Sequence, residues 1–218
     1  MAIRHLAAAA ALAFTAAAAP MAHAAISISV LPTDLPLPIG QQMVVDFDHP
    51  TAAGFTFTQG PGSFVRSGAL GLESGVSAPP PGDVSMYETV TGGGFATLTS
   101  AAPMTRFSFF LGSPDSYNSI RFEGAGFDVL LAGSALFSPP TAFNGDQSVG
   151  RRITYDFGGA KVNKITFLSS GNSFEFDDIA AGVSAAPEPA SWAIMLMGMF
   201  GLGGLLRSQR RRQVALAA

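Results

Sequence analysis

The chain has 218 residues, no cysteine, three histidines and a formal net charge of −3. Without cysteine it has no disulfide, no Cys–zinc site, no thiol nucleophile and no thioether haem attachment. The charge is unevenly spread: residues 25–186 carry 14 acidic and 7 basic side chains, a net of −7. An acidic body argues against nucleic acid as a partner, because phosphate binding runs on lysine and arginine.

The first element reads as a secretory signal peptide over 1–24. Arg4 and His5 form a short charged start, 6–19 is an apolar run rich in Ala, and Pro20 ends it. Ala22-His23-Ala24 is an A-x-A cleavage site, which puts the first mature residue at Ala25. The competing reading is a first transmembrane helix, for which the apolar run is short and its exit too well marked. A signal peptide implies the Sec translocon and signal peptidase as partners. It also removes His5 and His23, leaving His49 as the one histidine for a zinc site or a Ser-His-Asp triad. Its setting, Asp48-His49-Pro50, reads as a solvated turn.

From 25 to 186 helical periodicity is nearly absent, and short runs rich in Val, Ile, Phe and Thr recur instead. In chain order they fall at 26–30, 43–47, 55–58, 84–90, 95–99, 106–111, 119–122, 127–131, 153–157, 164–168 and 174–179. Breakers such as Thr91-Gly92-Gly93-Gly94, Gly112-Ser113-Pro114-Asp115 and Ser138-Pro139-Pro140 separate them. This spacing predicts an all-β, antiparallel β-sandwich domain over 25–186. Residues 61–83 read as a long surface loop, and Asp115 as a turn residue. Phenylalanine alternates at Phe55/Phe57, Phe107/Phe109 and Phe174/Phe176, the pattern of a sheet-on-sheet core. The sharper reading, an aromatic sugar platform, suits Trp and Tyr better than Phe. Gly92-Gly93-Gly94 lies between two strands and not between a strand and a helix, so it is no phosphate loop.

Beyond the body, Pro187-Glu188-Pro189 is followed by Trp192-Ala193, an uncharged apolar stretch over 190–206, and Arg207, Arg210, Arg211 and Arg212. As a helix the stretch is about 25 Å long, at the lower end of what spans a bilayer. The arginines favour the cytoplasmic side, with 213–218 as a short cytoplasmic tail and the body outside. The competing reading is a buried helix of a soluble domain. Triplet, Trp-Ala pair, apolar helix and arginines, in this order and beside a signal peptide, resemble the PEP-CTERM sorting signal over 187–212, in its PEPxxWA form known from Gram-negative proteobacteria. That resemblance implies an exosortase as partner, transient or single-pass residence in the membrane, and export to the cell surface or medium of an exopolysaccharide-producing bacterium.

The body itself resembles exported PEP-CTERM proteins with a jelly-roll-like sandwich, through Asp46-Phe47-Asp48, the stretch Gly112-Ser113-Pro114-Asp115-Ser116-Tyr117-Asn118, and Phe174-Glu175-Phe176-Asp177-Asp178-Ile179. Jelly-roll carbohydrate-binding modules commonly share a structural calcium between an early-strand and a last-strand acid. The resemblance therefore implies Asp46 or Asp48 with Asp177 or Asp178 as calcium ligands. Strict alternation would put Asp178 on the Phe174/Phe176 face or at the sheet edge, where it needs a metal, an arginine or strong hydrogen bonds. The plainer reading is solvated acids at strand ends, with Asp178 paired to Arg151 or Arg152. No catalytic residue stands out. The expected function is structural or adhesive, in a surface or exopolysaccharide matrix. Polysaccharide binding is the first alternative, and a secreted hydrolase using paired carboxylates the second.

Overall fold

The computed structural model describes residues 25–137, 145, 150–183, 194–201 and 207. Among them are eleven strands, all paired antiparallel in one continuous sheet. They are β1 (Ser27–Leu31), β2 (Gln42–Val45), β3 (Phe55–Gln59), β4 (Ser63–Ser67), β5 (Met86–Val90), β6 (Phe95–Leu111), β7 (Asn118–Gly124), β8 (Phe127–Ala132), β9 (Arg151–Asp156), β10 (Val162–Ser169) and β11 (Phe174–Val183).

The sheet folds back on itself through β6, which is 17 residues long. Its first part, 95–100, lies between β3 and β10, and β7 and β8 continue outward from β10. Its last part, 104–111, lies between β11 and β9, with β1 beyond β9. On the far side of β11, β5 and then β4 pair with its start, and β2 with its end. The change of partners falls around Pro103, which has no N–H to give to a ladder.

Aromatic rings from the two layers meet between them. Phe167 of β10 stacks on Phe176 of β11 with centroids 4.0 Å apart, and Phe122 of β7 meets Tyr155 of β9 at 4.9 Å. Phe109 of β6 meets Phe167 edge-on at 5.6 Å. All these side chains are buried, so the phenylalanine alternation seen in the sequence marks the core. Full burial of one such side chain contributes about 1.5–3 kcal/mol. One acid enters this apolar layer: Glu88 of β5 is buried and accepts from Gln59 Nε2 at 2.9 Å and from Ser63 Oγ. Burial raises its pKa to about 7 against those hydrogen bonds.

Three expectations change. The runs 95–99 and 106–111 are one strand, because the chain stays extended through Ala101-Ala102-Pro103. Within 61–83, residues Ser63–Ser67 form β4, and Ser77 and Ala78 are buried, so the segment packs against the sheet. Strict alternation also fails at Asp178. The register shifts between Asp177 and Ala180, and Asp178 has φ 50°, the left-handed region that few non-glycine residues enter. This bulge turns Asp178 away from the core.

The signal peptide and most of the sorting signal, including Pro187, Glu188, Pro189, Trp192, Ala193 and Arg210 to Arg212, lie outside the described residues. Within 190–206, residues 194–201 are helical and exposed, as is Arg207. Among the described residues no helix is long and apolar enough to cross a membrane.

Candidate functional site

Each layer has an outer face, and the two differ. The register places Thr58, Thr97, Thr166, Arg121 and Leu130 side by side on the first, with Thr56, Thr99, Lys164, Glu123 and Asp128 in the next row. Most of these side chains are exposed, and their charges pair locally, as Arg121 does with Asp128 and Lys164 with Glu123.

On the second layer the outer row is Asp177, Phe110, Arg152 and Leu31. Two irregular segments cover this face. One follows β1 and carries Asp34; the other precedes β5 and carries Ser77, Ala78, Asp83 and Ser85. Ala78 N–H donates to Glu175 Oε1 at 3.1 Å, and Ser77 Oγ and Tyr87 Oη are 3.0 Å apart, which fastens the second segment. Arg152 fastens the first. It is fully buried and donates through Nε to the Asp34 carbonyl at 2.6 Å, through Nη2 to Asp34 Oδ1, and through Nη1 to Ser108 Oγ at 3.0 Å and the Asp178 carbonyl at 2.9 Å. A guanidinium suits this position because its planar donors can bond several oxygens at once.

Between the two segments lies a cleft of about 450 Å³. Pro32, Thr33 and Asp34 form one wall, and 81–85 the other; Phe110, Gly150 and the bulged Asp178 also line it. Gly150 is required here, since a Cβ would come within 2.5 Å of the Phe110 ring. The carboxyl groups meet in two pairs. Asp178 neighbours Asp34, and Asp177 neighbours Asp83, close enough for Asp34 to raise the pKa of Asp178 and Asp83 that of Asp177. Ser85 Oγ donates to Asp83 Oδ1 and lies 3.1 Å from Asp177 Oδ2. Asp83 Oδ2 and Asp177 Oδ1 are buried with no donor. Burial, with the neighbouring Asp178 and Asp83 charges, raises Asp177 to about 9. Burial and Asp34 raise Asp178 to about 7, against the pull of Arg152. The cleft lining therefore carries the carboxyl groups of Asp34, Asp83 and Asp178, with Asp178 and the adjoining Asp177 both pushed toward their protonated, hydrogen-bond-donating forms.

The four acids expected around a calcium are divided. Asp46 accepts from His49 N–H at 2.9 Å and holds the His49 ring at 2.7 Å in an exposed turn, as the sequence reading of His49 anticipated. Asp48 Oδ2 accepts from Met86 N–H at 3.2 Å. Asp178 lines the cleft with Asp34 and Asp83, which sequence reasoning missed, and Asp177 is buried beside Asp83. Among the described residues no group of three or more His, Cys, Asp or Glu could hold a metal ion. The arginine expected beside Asp178 is Arg152, which bonds its backbone carbonyl. Asp115 is buried and accepts from Ser113 Oγ at 2.6 Å. With Glu73, Tyr117, Ser173 and Glu175 it lines a second, smaller cavity of about 190 Å³.

No family model matches the chain, and no curated protein matches it. Among solved structures it is similar to the catalytic unit of a thermostable GH87 α-1,3-glucanase from Streptomyces thermodiastaticus, with 13% identity and a TM-score of 0.30. That match covers 63% of this chain and 28% of the glucanase unit, so the chain spans under a third of that protein's length. It is also similar to the family 11 carbohydrate-binding module of a Clostridium thermocellum cellulosomal cellulase, with 13% identity and a TM-score of 0.23 over 70% of this chain and 99% of the module. A further match is the same family's module in complex with a β-1,3-1,4-mixed-linked tetrasaccharide, with 16% identity and a TM-score of 0.22 over 70% and 100% of the two chains. Similarity at this level carries no inference about ligand.

Proposed function

We propose that the chain is an exported surface or extracellular protein that binds polysaccharide through the acidic cleft and acts as an adhesive component of an exopolysaccharide matrix, without turnover. The observation that carries this reading is the cleft itself. Its volume lies within the range of about 300–1,000 Å³ usual for small-ligand sites. Its paired acids supply donors and acceptors in fixed positions, which suits hydroxyl groups that both give and accept hydrogen bonds. Phe110 on its lining and the exposed Val84 on its rim add apolar surface for the C–H faces of sugar rings. The jelly-roll likeness of the body belongs to this reading, as do the signal peptide, the exosortase-processed PEP-CTERM tail and the membrane intermediate.

Hydrolysis is the less favoured reading on geometry. Glycosidases separate their two carboxyls by about 5–9 Å to flank the scissile bond, whereas the acids here lie in close pairs, Asp177 beside Asp83 and Asp178 beside Asp34.

A glycan array probed with the full chain tests the binding. Capture of polysaccharide that is weakened about tenfold by Asp178→Asn supports it. Absence of binding across the array, or binding indifferent to that change, overturns it. Intact mass of the protein recovered outside the host cytoplasm tests the sorting. A chain ending near 187–190 is expected, and one retaining 192–218 contradicts it.

A further inference from the structure

A chain without cysteine has no disulfide to brace it. Where this chain crosses from one layer to the other, three side chains away from the cleft stand in an arrangement that suits a different covalent brace. Gln59 ends β3, which pairs with β6 in the first layer, and Ser63 begins β4, which pairs with β5 in the second. The turn between them is tight. Ser63 N–H donates to the Gly60 carbonyl at 3.2 Å, Pro61 follows Gly60, and Gly62 has φ 71°. Both side chains then bond one carboxyl group. Ser63 Oγ donates to Glu88 Oε1 at 2.5 Å, and Gln59 Nε2 donates to Glu88 Oε2 at 2.9 Å.

A fully buried glutamate is a costly way to tie down an amide and a hydroxyl, which can bond each other directly. Its chemistry is that of a proton carrier. Burial raises Glu88 to about 7, so near neutral pH it can both take a proton and return it. Ser63 is a nucleophile already held on the base through its O–H. The amide nitrogen of Gln59, the leaving group, is held on the other oxygen of the same carboxyl. One side chain thus brings nucleophile and leaving group together, which is the part of the barrier that positioning lowers. Gln59 lies at the exposed end of its strand, so released ammonia has a way out, whereas Glu88 is sealed from water.

We propose that the folded chain links itself here, Ser63 to Gln59, through a side-chain ester formed with release of ammonia, Glu88 acting as general base and then general acid. Ser63 Oγ attacks Gln59 Cδ as Glu88 takes the hydroxyl proton. The Cδ–Nε2 bond then breaks, and Glu88 returns the proton to the leaving nitrogen. One amide and one hydroxyl become one ester and one ammonia, with no redox change and no co-reactant, and Glu88 ends as it began. The ring so closed pins the turn that joins the two layers. This modification is independent of the glycan-binding reading.

The test is intact mass of the full chain after folding, followed by fragmentation of the peptide that ends at Arg66. The expected result is a mass lower by one ammonia, with no backbone fragments between Gln59 and Ser63, because a single break inside the ring releases nothing. Ser63→Ala and Glu88→Gln are each expected to abolish the loss, and wild-type chain kept unfolded in urea to lack it. Glu123→Gln, which breaks the surface ion pair with Lys164, is expected to keep it. Ser63 is only half-buried, so its variant decides the matter where Glu88→Gln fails to fold. A folded wild-type chain at the mass its sequence gives overturns the proposal. So does an ammonia loss that persists in Ser63→Ala or maps elsewhere, such as to Asn144-Gly145. Gln59 converted to glutamate without a link also overturns it, since water and not Ser63 is then the nucleophile.

Discussion

The two outer faces of this sheet are built from similar residue types and end differently. On the first layer, Thr56, Thr58, Thr99 and the paired charges meet solvent, with Thr166 buried among them. On the second, Asp177, Phe110 and Arg152 are sealed beneath segments that have no regular structure of their own for most of their length. A polar strand position therefore has two meanings. In the open it is a solubility feature that water satisfies. Under cover it must find every partner within the protein, and where it does not, the shortfall marks a place for a ligand.

The largest effect expected from breaking this comparison is at Arg152. Replacing it with methionine removes the donors that hold Asp34 and the Asp178 carbonyl and leaves a largely buried carboxyl unpaired. Urea denaturation should show a loss of about 3 kcal/mol. On the open face, Arg121→Met breaks an ion pair of similar appearance with Asp128 but leaves that carboxylate in water. The urea midpoint should not move measurably. If the two variants behave alike, the covered face is not the second buried layer described above.

The next effect is on pH dependence. Asp177 titrates near 9 in the folded chain and in the ordinary Asp range near 3.8 when unfolded. Between these values the native chain keeps a proton that the unfolded chain has released, so stability falls as pH rises. Asp178 and Glu88, both raised to about 7, act in the same direction over a narrower window. Melting temperature should be lower at about pH 8.5 than at about pH 5.5. Asp177→Asn should shrink that difference and stabilise the alkaline form by at least about 1 kcal/mol, one pKa unit being about 1.4 kcal/mol. A profile that rises with pH contradicts the arrangement. A small effect on stability is expected for Asp178→Asn, which should leave the melt at about pH 5.5 nearly unchanged while weakening glycan capture about tenfold.

The core was legible because its signal is local. Phe107/Phe109 and Phe174/Phe176 repeat every second residue, and that period alone assigns them to one face. The covered face was not, because its partners are far apart in the chain. Asp34 and Arg152 are 118 residues apart, and Ser85 and Asp177 are 92 apart. Asp34 stands among prolines and Asp83 beside Gly82, settings that read as solvated turns. The strand β4 was hidden because Ser63–Ser67 lacks alternation and is flanked by Gly and Pro. The bulge at Asp178 leaves no trace in the sequence, since Asp is tolerated both in a left-handed residue and at an ordinary strand end.

The central claim is that ligand enters between the two covering segments. Hydrogen exchange of the full chain, with and without a polysaccharide captured on the array, tests it most directly. Protection confined to 32–34, 81–85 and the 177–178 bulge is the predicted result. Protection on β7 and β8 of the open face, with those segments unchanged, would contradict it.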